Sequence, residues 1–82
     1  MNAERMQLKG QLADAKHHFS NLETEAAGII TLIRIYLDPW PLDITALKIQ
    51  EAHAQMGRLA AIHTEMTALK GRIAGLEEAL NG

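Results

Sequence analysis

Cysteine is missing from this 82-residue chain, and aromatic residues and proline are scarce, with one Trp, one Tyr, one Phe and two prolines. Without cysteine the chain has no disulfide bonds, no thiolate nucleophile and no cysteine ligands for zinc. The few prolines and six scattered glycines exclude a collagen-like or low-complexity sequence. The apolar fraction of 48% is too high for an intrinsically disordered chain. We therefore expect one small folded domain over residues 1–82.

Long hydrophobic runs and an excess of one charge are also missing. The most apolar segment, residues 28–37, includes Arg34 and is far shorter than the roughly 20 residues that a membrane-spanning helix needs. The first residues lack the apolar region of a secretory signal. Eight basic and ten acidic residues give a net charge of −2, and the basic residues are dispersed rather than clustered as in nucleic-acid-binding proteins. We expect a cytoplasmic protein whose partners include neither membrane nor nucleic acid.

Residues suited to catalysis are equally sparse. Ser20 is the only serine, it stands in no Gly-x-Ser-x-Gly turn, and no glycine-rich phosphate loop is present. We therefore expect no enzymatic activity and no cofactor.

The one strong interruption of the chain is the turn at residues 38–43, which contains Pro39 and Pro41. Proline lacks a backbone N–H and disfavours a helical conformation in the residue before it, so a helix must end here. The sequence predicts helix 1 over about residues 2–37 and helix 2 over about residues 44–81, with Asp43 as the N-cap of helix 2. Two long helices joined by a short turn fold back antiparallel, so the predicted fold is an all-α, coiled-coil-like hairpin.

Apolar or small residues recur in each helix at steps of four and three residues, the spacing of a coiled-coil seam. On helix 1 the predicted seam is Leu8, Leu12, Ala15, Phe19, Leu22, Ala26, Ile29, Ile33 and Tyr36. On helix 2 it is Leu59, Ile62, Met66, Leu69, Ile73, Leu76 and Leu80. A three-residue slip of the register is predicted at Met56. Placing Phe19 opposite Ile62 brings Glu25 near Arg58, His18 near Glu65 and Gln11 near Arg72, and these favourable pairs support that register.

A single hairpin has no enclosed core, so its exposed apolar faces are candidates for contact with a partner. The end of the hairpin near the turn is apolar almost all round, which is typical of an interface. We call these residues the turn-end surface: Ile30, Leu32, Ile35, Leu37, Trp40, Leu42 and Ile49. The alternative is that Trp40 and the turn fold over this surface and cover it.

A second candidate contact lies on the face of helix 2 that points away from helix 1. Small residues recur there at heptad spacing, and we call them the small stripe: Gly57, Ala61, Thr64, Ala68, Gly71 and Gly75. Small residues allow two helix backbones to approach closely, whereas a tolerant solvent-exposed face is the alternative interpretation. Together the two surfaces favour a homodimer that forms a four-helix bundle, or a higher closed oligomer.

The histidines raise one alternative from another functional class. Asp14 and His18 are four residues apart on one helical face, and Glu65 of helix 2 is expected nearby, so these three side chains could ligate a metal ion. The ferritin-type Glu-x-x-His pattern is absent, and ordinary surface histidines are the simpler interpretation. The leading hypothesis is a non-enzymatic, self-associating interaction module. The alternatives are a metal-binding helical protein and a small regulator that docks onto a helix of another protein.

Overall fold

The computed structural model describes residues 2–38 and 43–81, which form an antiparallel hairpin of two long helices. Helix α1 spans Asn2–Tyr36, helix α2 spans Ile49–Asn81, and a short 3-10 helix occupies Ile44–Ala46. No strand occurs in either described range. The hairpin is elongated, with principal extents of 65 × 16 × 15 Å. The predicted all-α, two-helix hairpin is therefore confirmed.

Helix α1 ends within one residue of its predicted boundary. The amide of Leu37 donates to the carbonyl of Ile33 at 3.0 Å, and the amide of Asp38 donates to the carbonyl of Ile35 at 3.2 Å. The second bond closes a tighter turn than the first, as is common in the last turn of an α-helix. Pro39 follows directly in the sequence and disfavours a helical conformation at the residue before it, which explains why the helix stops here.

Helix α2 begins five residues later than the sequence predicts. Asp43 does act as a cap, but for the 3-10 helix: its Oδ1 accepts hydrogen bonds from the amide of Thr45 at 3.0 Å and from the hydroxyl of Thr45 at 2.7 Å. These local bonds compete with α-helical bonding, and β-branched residues at 44 and 45 weaken the helix further. The backbone of Leu47 is extended. The carbonyl of Lys48 then accepts a hydrogen bond from the amide of Ala52 at 3.0 Å, and α2 begins at Ile49.

The predicted seams form the contact between the two helices. Every predicted seam residue is buried or half-buried. Leu22, Ile29 and Ile62 make the central cluster. Residues packed against the cluster come from both helices: Ala26, Ile33, Leu59, Met66 and Leu69. Ala15 and Ala52 extend the buried stripe towards the two ends of the hairpin.

The predicted slip of the register at Met56 is wrong. The half-buried and buried residues of α2 continue towards the turn at the same spacing, from Ile62 and Leu59 to Gln55 and Ala52. Met56 instead lies outside the seam and is 48% exposed. The apolar pattern was misleading here because a polar residue, Gln55, takes the seam position and an apolar one stands directly after it.

Neither described helix contains a stretch that is both long enough and apolar enough to cross a membrane.

Removing the side chain of Ile62 tests whether this seam holds the hairpin together. Ile62 is fully buried, so Ile62→Ala leaves a cavity and is expected to lower the free energy of unfolding by about 2–5 kcal/mol. Denaturant unfolding followed by circular dichroism, at one fixed chain concentration, measures this change. The matched control is Met6→Ala, because Met6 is 71% exposed and its truncation should change the free energy by no more than about 0.5 kcal/mol. Equal effects of the two substitutions would contradict the assigned core.

Candidate interaction surfaces

The described part of the turn-end surface is exposed to solvent in the single chain. Exposed fractions are 38% for Ile30, 39% for Leu32, 62% for Ile35, 45% for Leu37 and 43% for Ile49. Trp40 and Leu42 lie outside the described residues. Isolated apolar residues are common on protein surfaces, but several exposed large aliphatic side chains at one end of an elongated molecule favour an interface there.

Two further residues belong to this end of the molecule. Ile44, in the 3-10 helix, is 73% exposed, and Met56 faces solvent about two turns into α2. Met56 was missed as a surface residue because the sequence pattern placed it in the seam. The signal that identifies it is the uninterrupted spacing of three and four residues through Ala52, Gln55 and Leu59.

One flank of the hairpin is closed by polar bonds between the helices. The Nε and Nη2 atoms of Arg58 donate to the two carboxylate oxygens of Glu25 at 2.7 and 2.9 Å. This bidentate pair lowers the pKa of Glu25 below its ordinary value and raises the pKa of Arg58, chiefly through the hydrogen bonds themselves. Along the same flank, Nε2 of His18 lies 2.7 Å from Oε1 of Glu65. Both pairs confirm the register predicted from the sequence.

The predicted metal ligands are only partly brought together. His18 and Glu65 are hydrogen-bonded, and Asp14 lines the same shallow depression as His18, Gln11 and Arg72. This depression is an open surface feature of about 350 Å³ between the helices. Within residues 2–38 and 43–81, no group of three His, Asp or Glu side chains is placed to hold a metal ion. The geometry gives the metal-binding alternative no structural support.

The small stripe runs along the solvent-exposed face of α2, as the sequence predicts. All six of its residues are exposed. A Cβ atom added at Gly57, Gly71 or Gly75 would meet nothing within 4 Å. The packing of the hairpin itself therefore does not require glycine at these positions.

The other flank of the hairpin is charged in the half that is distant from the turn. The Nζ atom of Lys16 lies 3.4 Å from Oε1 of Glu77 across the helix pair, and both side chains are about half exposed. Side chains lean towards the N-terminus of their own helix, so in an antiparallel pair Lys16 and Glu77 lean towards each other. An exposed pair of this kind adds little to stability.

No protein-family model matches this chain, and comparisons with curated proteins and with solved structures also find no match.

The Glu25–Arg58 pair predicts a loss of stability in acid. Because the folded-state pKa of Glu25 is lowered from 4.5, its contribution is fully present above that value and is lost as the pH falls through the lowered pKa. We expect Glu25→Gln to destabilise the hairpin at pH 7 but to have a much smaller effect at pH 3. Thermal unfolding at the two pH values measures both effects.

The matched control for this prediction is Glu78→Gln, because Glu78 is an exposed carboxylate of α2. Its substitution is expected to leave the acid sensitivity of the wild-type hairpin unchanged. A Glu25→Gln variant that is equally destabilised at pH 3 and pH 7 would show that the side chain matters for a reason other than its charge.

Proposed function

We propose that this protein is a non-enzymatic interaction module that associates with further copies of itself through the faces of its helices. The observation that carries this proposal is the exposure of the turn-end surface. Its described aliphatic side chains come from both helices and are 38–62% exposed, while only five described apolar residues are buried. Burying apolar surface contributes about 25 cal/mol per Å², so the isolated hairpin forgoes much of its available stabilisation.

Self-association supplies what the single hairpin lacks. Packing a second hairpin on the turn-end surface makes a four-helix bundle, in which aliphatic side chains at this end of the molecule face a core instead of water. Homodimers with two-fold symmetry are the commonest soluble oligomers.

The small stripe is a second proposed contact. Glycine inside a helix costs about 1 kcal/mol relative to alanine, and the open space at Gly57, Gly71 and Gly75 gives no reason for that cost within one chain. Close approach of a helix from another copy would give such a reason. We propose that the stripe joins pairs of hairpins into a larger closed assembly.

The mass of the protein in solution tests self-association directly. The chain has a mass of 9.0 kDa, and we expect a stable multiple of this value at micromolar concentrations, with dissociation on dilution. Sedimentation equilibrium or light scattering across a concentration series measures the mass. A folded, helical protein of 9.0 kDa at every concentration would contradict the proposal and point instead to a foreign helical partner.

Bulky substitutions test the small stripe separately. A Cβ atom at Gly71 would meet nothing within 4 Å, so in a Gly71→Leu variant that keeps its helicity, a loss of mass reports a contact with another chain. We expect Gly71→Leu and Ala68→Leu to reduce the assembly to a pair of hairpins. Gly10→Leu on α1 is the matched control, because its surroundings are equally open, and it should keep the wild-type mass. Stripe variants that keep the full wild-type mass would contradict this contact.

A further inference from the structure

The single hairpin exposes far more surface than a compact protein of its size. Its accessible surface is 6351 Å² for a chain of 9.0 kDa. A compact monomer of this mass exposes about 4,900 Å², because the accessible surface of globular proteins follows their mass closely. The excess arises from the shape of the molecule, which extends over 65 × 16 × 15 Å. About 1,500 Å² per chain therefore lies in water that a globular fold of the same mass would bury.

Folding of the isolated hairpin also buries a smaller part of the chain than is usual for a stable domain. An unfolded chain of this mass exposes about 13,000 Å², so the hairpin buries roughly half of that surface. Domains of about 60 residues bury about 60% and are already marginal. This 82-residue chain falls below that fraction, and in its described part only five apolar residues are buried.

Neither helix propensity nor polar bonding compensates for the small core. The described helices contain five glycines, two in α1 and three in α2. Glycine is among the least favourable residues inside a helix, and a Cβ atom at any of these positions would meet nothing within 4 Å. The bidentate Glu25–Arg58 pair is about half exposed, and exposed pairs add little stability. The chain also has no cysteine, and therefore no disulfide bond.

The excess surface has the size of an obligate contact between two copies. Obligate homodimers bury about 2,000–5,000 Å² in total, or about 1,000–2,500 Å² per chain, and the excess on one hairpin lies within this range. A contact limited to the tip of the turn is too small, because an end face of 16 × 15 Å measures only about 240 Å², against about 800 Å² per partner in a standard interface. A side face of 65 × 16 Å measures about 1,000 Å², and a second copy has the length to cover it.

We infer, on the basis of the proposed self-association, that folding of this chain requires a second copy. Two hairpins pack side by side along their helices, with the turn-end surface in the contact, and a chain that leaves the pair unfolds. Most helical stability in proteins comes from the packing of an apolar face, so long helices that lose this packing melt. Obligate homodimers of this kind often have no stable folded monomer. Association and helix formation are therefore a single transition in this protein.

Dilution of the purified chain tests this coupling. We expect the mass measured by sedimentation and the helicity measured by circular dichroism to fall together, over the same range of chain concentration. The midpoint of thermal unfolding should also rise by roughly 5 °C for each tenfold increase in concentration, because the folded state contains two chains and the unfolded state contains one.

A substitution at the turn-end surface separates association from packing within one chain. Ile35 is 62% exposed, so a lysine there disturbs the single hairpin little, and lysine is a better helix former than isoleucine. We expect Ile35→Lys to raise the concentration at which half of the chains are folded at least about tenfold. The matched control is Met6→Lys, because Met6 is a 71% exposed residue of the same helix outside both proposed surfaces, and it should behave as the wild type. An Ile35→Lys variant with wild-type mass and helicity would exclude this surface from the contact.

Three results of the dilution experiment would overturn the inference, each in a distinguishable way. Helicity that persists after the mass has fallen to 9.0 kDa leaves self-association standing and contradicts its coupling to folding. A folded chain of 9.0 kDa at every concentration contradicts the proposed function as well. A chain that stays unfolded even at high concentration assigns the exposed surface to a foreign helical partner instead of a second copy.

Discussion

The structure depends on one constraint: two helices can cover only one stripe of each other. The consequence is visible in the burial of single residues, because Ile62 is fully enclosed while the other members of the central cluster, Leu22 and Ile29, retain slight exposure. Ordering each residue of a chain costs about 1–2 kcal/mol of conformational entropy, and a single seam offsets that cost with little margin. A hairpin of this kind gains substantially from any partner that covers a second stripe.

The polar bonds between the helices act within this constraint by fixing the register. Glu25–Arg58 and His18–Glu65 lie seven residues apart on one flank, and a slip by one heptad would pair Glu25 with Glu65 instead. Such exposed pairs discriminate between registers more than they stabilise the fold. They also make part of one flank polar, and these polar groups are hydrogen-bonded within the hairpin. Most of the large aliphatic side chains that remain exposed lie near the turn, beyond these polar pairs.

Much of the fold follows from the sequence because the apolar spacing is regular in both helices and two prolines interrupt it once. The seam residues, the register and the end of α1 could all be predicted from that spacing. The start of α2 could not, since Asp43 bonds to Thr45 and caps a 3-10 turn where an α-helical cap was expected. Met56 was misplaced because hydrophobicity alone cannot reveal that Gln55 occupies the seam.

The exposed aliphatic residues and the glycines of α2 share a physical property. Each is a cost to the isolated chain: Ile30 and Met56 leave apolar surface in water, and Gly71 weakens its helix without any contact that requires a small residue. A stable isolated hairpin would gain by replacing all three with alanine, lysine or glutamate. The proposed association would remove the first cost by burial and would give the second a use in close helix approach. The same sequence that looks poorly optimised as a single hairpin is therefore consistent as one member of a helical assembly.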